Sequence, residues 1–306
     1  MNNFRLYEKD LKILAELDKN SRATISQIAK NCRLSKEITN YRIKRMQEEG
    51  FIKGYKTIID YYALGYNQYT ISLDLHNIEE NTKTDMVKEF NNMPRTEAIL
   101  FIQGTTDMEV KFWTKNQKEL LTTYSKIMEK YNRYIKDKSI YVTSRKIFLG
   151  HAYIHKNRIE EVMEILQPKN ISPEEEQILL LIEKEPLAGI IEISKKLSMP
   201  PSTTTSRIKK MYSEKILRKA VPLIDTSMIG YSRYQINIQI SDQQKKHRLM
   251  ELLRLEKNVI QIEERMGAQD IVFNVDVKTA KDLDIIMNNL RINHPYIEDF
   301  KVKIIG

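Results

Sequence analysis

Two segments of this chain carry the side chains best suited to contact a polyanion. The first runs from Ser35 to Met46 as SKEITNYRIKRM. Ile38, Ile43 and Met46 recur at helical spacing, so one face of a helix is expected to pack. Lys36, Glu37, Asn40, Tyr41 and Lys44 fall around the other side, Arg42 lies at its edge, Arg45 follows, and Ser35 is placed to cap the helix. A helix that had only to be solvated would more often carry Glu/Lys pairs, whereas Asn, Tyr and Arg hydrogen-bond base edges and phosphates. The segment returns later: a shift of 165 residues brings Ile38–Met46 onto Thr203–Met211. There the candidate contacts are Ser202, Thr205, Ser206, Arg207, Lys209 and Lys210. Their hydroxyls reach less far than Asn40 and Tyr41. The first segment is therefore expected to supply most base discrimination and the second mostly phosphate anchoring.

Charge favours the same partner. Ser35 to Lys56 holds six Lys/Arg against three Asp/Glu, and Pro200 to Lys219 holds six against one. Six phosphate contacts would give log K a salt slope of about −5. Other constellations are weaker. His151 and His155 stand four apart after the strand-like Ile147-Phe148-Leu149, where that spacing does not bring both onto one metal. No phosphate-cradling Gly-rich loop, HExxH or nucleophile elbow occurs, so no catalytic residue, metal or cofactor is expected. Gly104-Thr105-Thr106-Asp107 and Gly267-Ala268-Gln269-Asp270 look like hairpin turns, with Gly at positive φ and Asp binding backbone.

The elements around these residues repeat. Leu11, Ile13, Leu14 and Leu17 predict a first helix; Thr24 caps a second with Ile25, Ile28 and Ala29 inward; Arg33-Leu34 is the turn before the third. Phe51 to Asp60 reads as a short basic hairpin wing turning at Gly54, with Lys53 on it. After Gly65-Tyr66 the period falls to 2. Tyr69, Ile71, Leu73 and Leu75 alternate with Thr70, Ser72 and Asp74, as in a strand half open to solvent. The order βαββαβ that follows is a ferredoxin-like plait presenting one open sheet face. Arg145 to Gln167 reads as a strand leading to a helix. The same programme then restarts, with Ile182, Ile193, Met211, Asp225 and Gly230 matching Leu17, Ile28, Met46, Asp60 and Gly65. Lys215 stands where the first copy has Gly50, and Leu187 where it has Arg22, so the second wing is expected to differ.

The fold class is thus α+β, in two tandem units of winged helix-turn-helix plus plait. The expected divisions are 1–62 and 171–227 for the winged helices, 63–146 and 228–306 for the plaits, and 147–170 for the joint. A chain of 306 residues has room for this, and its formal charge of +9 suits a polyanion. Cys32 is the sole cysteine, which suits a reducing cytoplasm, and no eighteen-residue apolar run is present.

The pattern Asp10…Ile13-Leu14…Leu17…Arg22, Ile28-Ala29…Leu34-Ser35…Arg42-Ile43…Gly50…Ile52…Asp60…Gly65, followed by βαββαβ with a Gly-x-x-Asp turn, resembles the Lrp/AsnC (leucine-responsive, feast/famine) family of transcription regulators. The resemblance covers nearly the whole chain, twice over. It implies DNA binding through the helix-turn-helix and association through the plaits, here by pairing of the two plaits within the chain and as a homo-oligomer. It also implies an amino-acid effector held at Gly104, Thr105, Thr106 and Asp107 or at Gly267, Ala268, Gln269 and Asp270. Two alternatives are an enzyme similar to the sirohaem decarboxylases, which look like the same fold, and an amino-acid-binding adaptor that ignores DNA.

Overall fold

The computed structural model describes residues 4–103, 106–154, 160–165 and 167–305. The first copy contributes α1 (Glu8–Asn20), α2 (Ile25–Cys32), α3 (Lys36–Glu48), β1 (Ile52–Ile59), β2 (Asn67–Leu75), α4 (Glu80–Asn92), β3 (Thr96–Gln103), β4 (Met108–Thr114), α5 (Gln117–Tyr131) and β5 (Ile135–Phe148). At the joint lies β6 (Glu161–Glu164). The second copy contributes α6 (Pro173–Lys184), α7 (Ile190–Lys196), α8 (Pro201–Ser213), β7 (Leu217–Ile224), β8 (Ser232–Ile240), α9 (Lys246–Leu255), β9 (Val259–Met266), β10 (Ile271–Val277), α10 (Ala280–Asn293) and β11 (Ile297–Ile305). The joint differs from expectation. Of its described residues, those past β5 that are regular form strand β6 along β5, with Met163 opposite Lys146, and no helix before α6.

These elements gather into two compact units: of the described residues, 4–64, 150–154 and 167–231 form one, and 65–149, 160–165 and 232–305 form the other. One unit holds both winged helices and the other both plaits.

In the winged-helix unit, capping boxes start α2 and α6, where Gln27 accepts from the Thr24 N–H at 3.0 Å and Glu175 from the Ser172 N–H at 2.8 Å, and α1 has the acidic half alone, Asp10 accepting from the Tyr7 N–H at 2.9 Å. Ile13, Leu14, Leu17, Ile28, Ile43, Met46 and Phe51 close the first core. The wing departs from the expected hairpin. The run from Phe51 does not reverse at Gly54; β1 continues and pairs antiparallel with β7 of the other copy, Thr57 opposite Ala220. Gly54 marks a register shift in that ladder. The two copies are tied reciprocally: Asp60 N–H donates to Ile216 O at 2.8 Å, and Asp225 N–H to Phe51 O at 2.9 Å.

Lys215 occupies the place of Gly50 without a change of backbone. Gly50 has φ +79° and Lys215 φ +59°, both left-handed, so the lysine holds a conformation in which its Cβ crowds the carbonyl. Lys215→Gly should therefore stabilise the protein by about 1 kcal/mol. Urea melts followed by far-ultraviolet dichroism would register this as a later midpoint, whereas an earlier one would show that the lysine is not strained.

The plait unit is a closed ring. Its order is β2-β4-β3-β11-β8-β10-β9-β5, and β5 pairs with β2 to complete the circle, with β6 outside along β5. The copies meet at two seams, β5 with β9 and, more briefly, β3 with β11. Outside the ring, α4 and α5 cover Ile71, Leu73, Met108, Val110 and Phe112, while α9 and α10 cover Ile236, Ile238, Phe273 and Val275. The other sheet face, expected to be open, is enclosed: Thr70 is 0% and Ser72 2% exposed. Opposite Thr70 on neighbouring strands lie Lys111 and Tyr141, both buried.

Candidate nucleic-acid interface

On α3 the inward residues are Thr39, Ile43 and Met46. Thr39 takes the packing place expected for Ile38, which is 40% exposed; its hydroxyl donates to Ser35 O at 2.9 Å and so loses its polarity inside the helix. The Ser35 hydroxyl accepts from the Ile38 N–H at 3.2 Å, which makes it a cap first. Glu37 is exposed in the first turn, and hydrogen bonds from its own backbone and the Ser35 side chain hold its carboxyl below the usual range. Lys36, Asn40, Tyr41 and Lys44 are exposed along the outer face, Tyr41 to 66%.

Four candidate cations are committed elsewhere, which corrects their reading as open contacts. Arg42 and Arg45 reach the two oxygens of the fully buried Asp10, at 2.9 and 2.8 Å. In the second copy Arg207 donates to Ser172 Oγ at 2.7 Å and lies 3.6 Å from Glu174, while Lys210 lies 3.0 Å from the buried Glu175. The residues correspond at the 165-residue shift, but the contacts divide differently: Asp10 holds both Arg42 and Arg45, whereas Glu175 holds only Lys210 and Arg207 turns to Ser172 and Glu174. In each copy a buried acid at the start of the first helix ties down the third helix. Asp10 and Glu175 were missed as organisers, although their shared offset was visible in the sequence.

Lys53 is likewise held, 2.7 Å from Asp225 of the other copy. Its counterpart Arg218 lies 2.6 Å from Asp60, itself 1% exposed. A group read as a wing contact therefore serves the joint between winged helices. Arg22 acts similarly, donating to Pro186 O at 3.2 Å and to Ala188 O.

The second outer face is poorer. Helix α8 starts at Pro200-Pro201 without a side-chain cap, and Thr205 Oγ1 donates back to Pro201 O at 2.8 Å. Ser202, Ser206 and Lys209 remain exposed.

The Gly-x-x-Asp turns fall in the plait unit. Gly104 and Thr105 lie outside the described residues. Asp107 accepts from the Leu75 N–H at 2.7 Å, and Asp270 from the Ile240 N–H at 2.8 Å and from Gln243 at 2.6 Å. Each carboxylate therefore clasps the end of a neighbouring strand. Gly267 has φ +130°, as a turn glycine requires, and a Cβ there would come within 3.2 Å of Tyr141. Ala268 is exposed, but Gln269 is 6% exposed and faces the ring interior, as does Thr106, which accepts from Lys303 at 3.1 Å.

Residues 8–53 match the family model described as winged helix-turn-helix DNA-binding. An HTH-type transcriptional regulator of Mycobacterium tuberculosis is 33% identical over 105 residues, which is 34% of this chain and 69% of that protein. The regulatory protein AsnC of Haemophilus influenzae is 30% identical over 112 residues, 36% of this chain and 73% of AsnC. The chain belongs to the Lrp/AsnC family of transcription regulators. Its duplicated architecture is similar to the crystal structure of the siroheme decarboxylase NirDL, with a TM-score of 0.63 at 14% identity over 98% of this chain and 91% of that one. That likeness is one of fold. As a tandem Lrp/AsnC protein, the chain encloses in one polypeptide both winged helices and both plaits. No helix among the described residues is long and apolar enough to cross a membrane.

Proposed function

We propose that this Lrp/AsnC regulator binds double-stranded DNA with α3 as its base-reading helix and α8 as a phosphate-contacting helix. The observation that carries this reading is the row Lys36, Asn40, Tyr41 and Lys44, exposed on a capped helix whose two arginines are tied down by a buried acid. A helix so anchored presents its polar side chains at little further entropic cost, which favours specific contacts. With both turn carboxylates engaged by strand backbone, no amino-acid site is assigned to the turns.

The ion pairs lower the expected salt dependence. Among the described residues of α3, α8 and the turns after them, Lys36, Lys44, Lys209 and Lys215 stand outside the ion pairs. Four phosphate contacts give a slope of log K against log salt of about −3.6, shallower than the −5 or so that the bare cation count suggests. Fluorescence anisotropy of the full chain on labelled duplex, titrated from low to moderate salt, measures it. Failure to bind duplex at the lowest salt would end the regulator reading. The same preparation discriminates against a tetrapyrrole enzyme, because a bound macrocycle would give a strong visible absorption band.

A further inference from the structure

The stretch ahead of α1 is fastened to the winged-helix unit at each described residue. Phe4 is buried and stacks on Phe51, with ring centroids 4.7 Å apart and planes within 1° of parallel. Its N–H donates to Met228 O of the other copy at 2.9 Å. Arg5 O accepts from Arg45 Nη2 at 3.2 Å, Leu6 packs against the first core, and Asp10 holds the Tyr7 N–H. Within this pinned stretch Arg5 supplies the one cationic side chain, and it is exposed. Its guanidinium lies 5.2 Å from the centre of the Tyr7 ring and stands outside the ion pairs of the described residues.

Tyr7 sets where that cation sits. Arg42 and Arg45 of α3 face the same ring at 5.7 and 5.2 Å, so three guanidinium groups gather at one tyrosine. The two from α3 are bound to Asp10, Arg45 has Glu49 3.8 Å away as well, and Glu8 pairs with Lys12. Arg5 is the member of the three without an acid. It stands beside the flank of α3 that Arg42 and Arg45 occupy, a step round from the exposed row Lys36, Asn40, Tyr41 and Lys44. A helix with its side chains is about 10–12 Å across and the major groove about 12 Å wide, so the flanks of a seated helix meet the phosphate strands bordering the groove. The second copy lacks this device: at the 165-residue shift, Asn170 and Ser172 stand for Arg5 and Tyr7.

We infer that the segment before α1 is a DNA-contacting arm, in which Arg5, braced on Tyr7, holds a backbone phosphate on a strand bordering the groove that α3 enters. The inference rests on the reading of α3 as a DNA helix. A stacked guanidinium on a fixed backbone loses little freedom on contact, and its planar fork suits two phosphate oxygens. Such a contact is blind to sequence and fixes the register of α3 over the bases. It adds a fifth phosphate to the four held by lysines, which takes the slope of log K against log salt from about −3.6 to about −4.5.

Anisotropy of the full chain on a duplex carrying a selected operator, and on scrambled duplex, tests this with Arg5→Gln and Arg5→Lys. Arg5→Gln is expected to bind both duplexes about eightfold more weakly at roughly 0.1 M salt, one counterion fewer being released, and to return the slope to about −3.6. Its Tm should change little, since only an exposed ring contact is lost. Arg5→Lys keeps the charge and should keep the slope. A neutral methylphosphonate is then placed at each phosphate flanking the operator in turn. The parent should lose affinity at one position where Arg5→Gln loses nothing further. If Arg5→Gln has the parent's slope and affinity while Lys36→Ala loses both, the arm is overturned and α3 keeps its place. A loss confined to the operator, or equal losses in parent and variant at every methylphosphonate, would also overturn it. A parent that ignores duplex altogether removes the arm together with α3.

Discussion

Arg265→Met should destabilise the plait unit by about 3–5 kcal/mol, the usual result of removing one partner from a buried ionic cluster. Arg265 is the largest of the fully buried side chains, and its guanidinium is the only group that touches both inner carboxylates among the described residues, bonding Glu263 and lying 3.6 Å from Glu109. It also donates to Gln269 at 3.2 Å, which in turn donates to the Tyr141 hydroxyl at 3.3 Å. Methionine fills much of the volume but leaves Glu263 with Lys111 as its one close cation beside the Gln261 amide, which donates to it at 2.7 Å, and strips a cation from Glu109. A Trp113-detected urea melt measures the loss. The double variant Arg265→Met/Glu263→Gln should recover part of it, because the stranded carboxylate is then neutral. Equal stability of Arg265→Met and the parent would mean that the lattice contributes nothing to holding the ring.

The same lattice sets the response to acid. Burial pushes the Glu263 carboxyl up, but Lys111, Arg265 and Lys146 more than offset this and hold it far below the usual carboxylate range. Glu109 is depressed in the same way, burial being outweighed by Arg265, Lys303 and Lys111. A carboxyl whose folded pKa lies below its unfolded value contributes stability that is complete above the unfolded value of 4.5 and is lost as pH falls below it. The parent should therefore weaken progressively below about pH 5. In Arg265→Met the depression is smaller, so the plateau is lower and the slope of stability against pH shallower.

The helices of both copies were legible because period and capping residues are local. Thr24 with Gln27, and Ser172 with Glu175, start helices where their spacing places them. The wing was not legible, since Gly54 in a run of β-formers has the signature of a hairpin, while the true partner of β1 is β7, joined only after a whole plait intervenes. The inner sheet face failed for a related reason. Alternation of Tyr69, Ile71 and Leu73 with Thr70 and Ser72 distinguishes the faces, but two polar faces closed upon each other have the same pattern as one in water. Among the candidate contacts, Arg42 and Arg45 share a stripe with exposed residues. Only the placement of Asp10, 32 and 35 positions earlier, assigns them to the fold.

Replacing both Asn40 and Tyr41 with alanine should reduce discrimination between a selected operator and scrambled duplex by about tenfold to a hundredfold, since a well-made base contact is worth about 1–3 kcal/mol. Neither side chain is charged, so the salt slope should not change. Lys36→Ala and Lys44→Ala should do the reverse, weakening binding to all sequences alike and reducing the slope by about 1 each. The mirror change Ser202→Ala/Ser206→Ala should leave discrimination nearly intact, because short hydroxyls on an uncapped helix, one of whose neighbours is already bonded to its own backbone, can do little but touch phosphate. Arg42→Ala supplies the contrast: it leaves Asp10 half-neutralised under α3, so its loss of binding should come with a lower melting temperature. The measurement is anisotropy on an operator selected from random duplexes with the full chain. If the Asn40/Tyr41 variant loses affinity equally for operator and scrambled sequence, α3 is not the reader, and the division of labour between the two helices falls with it.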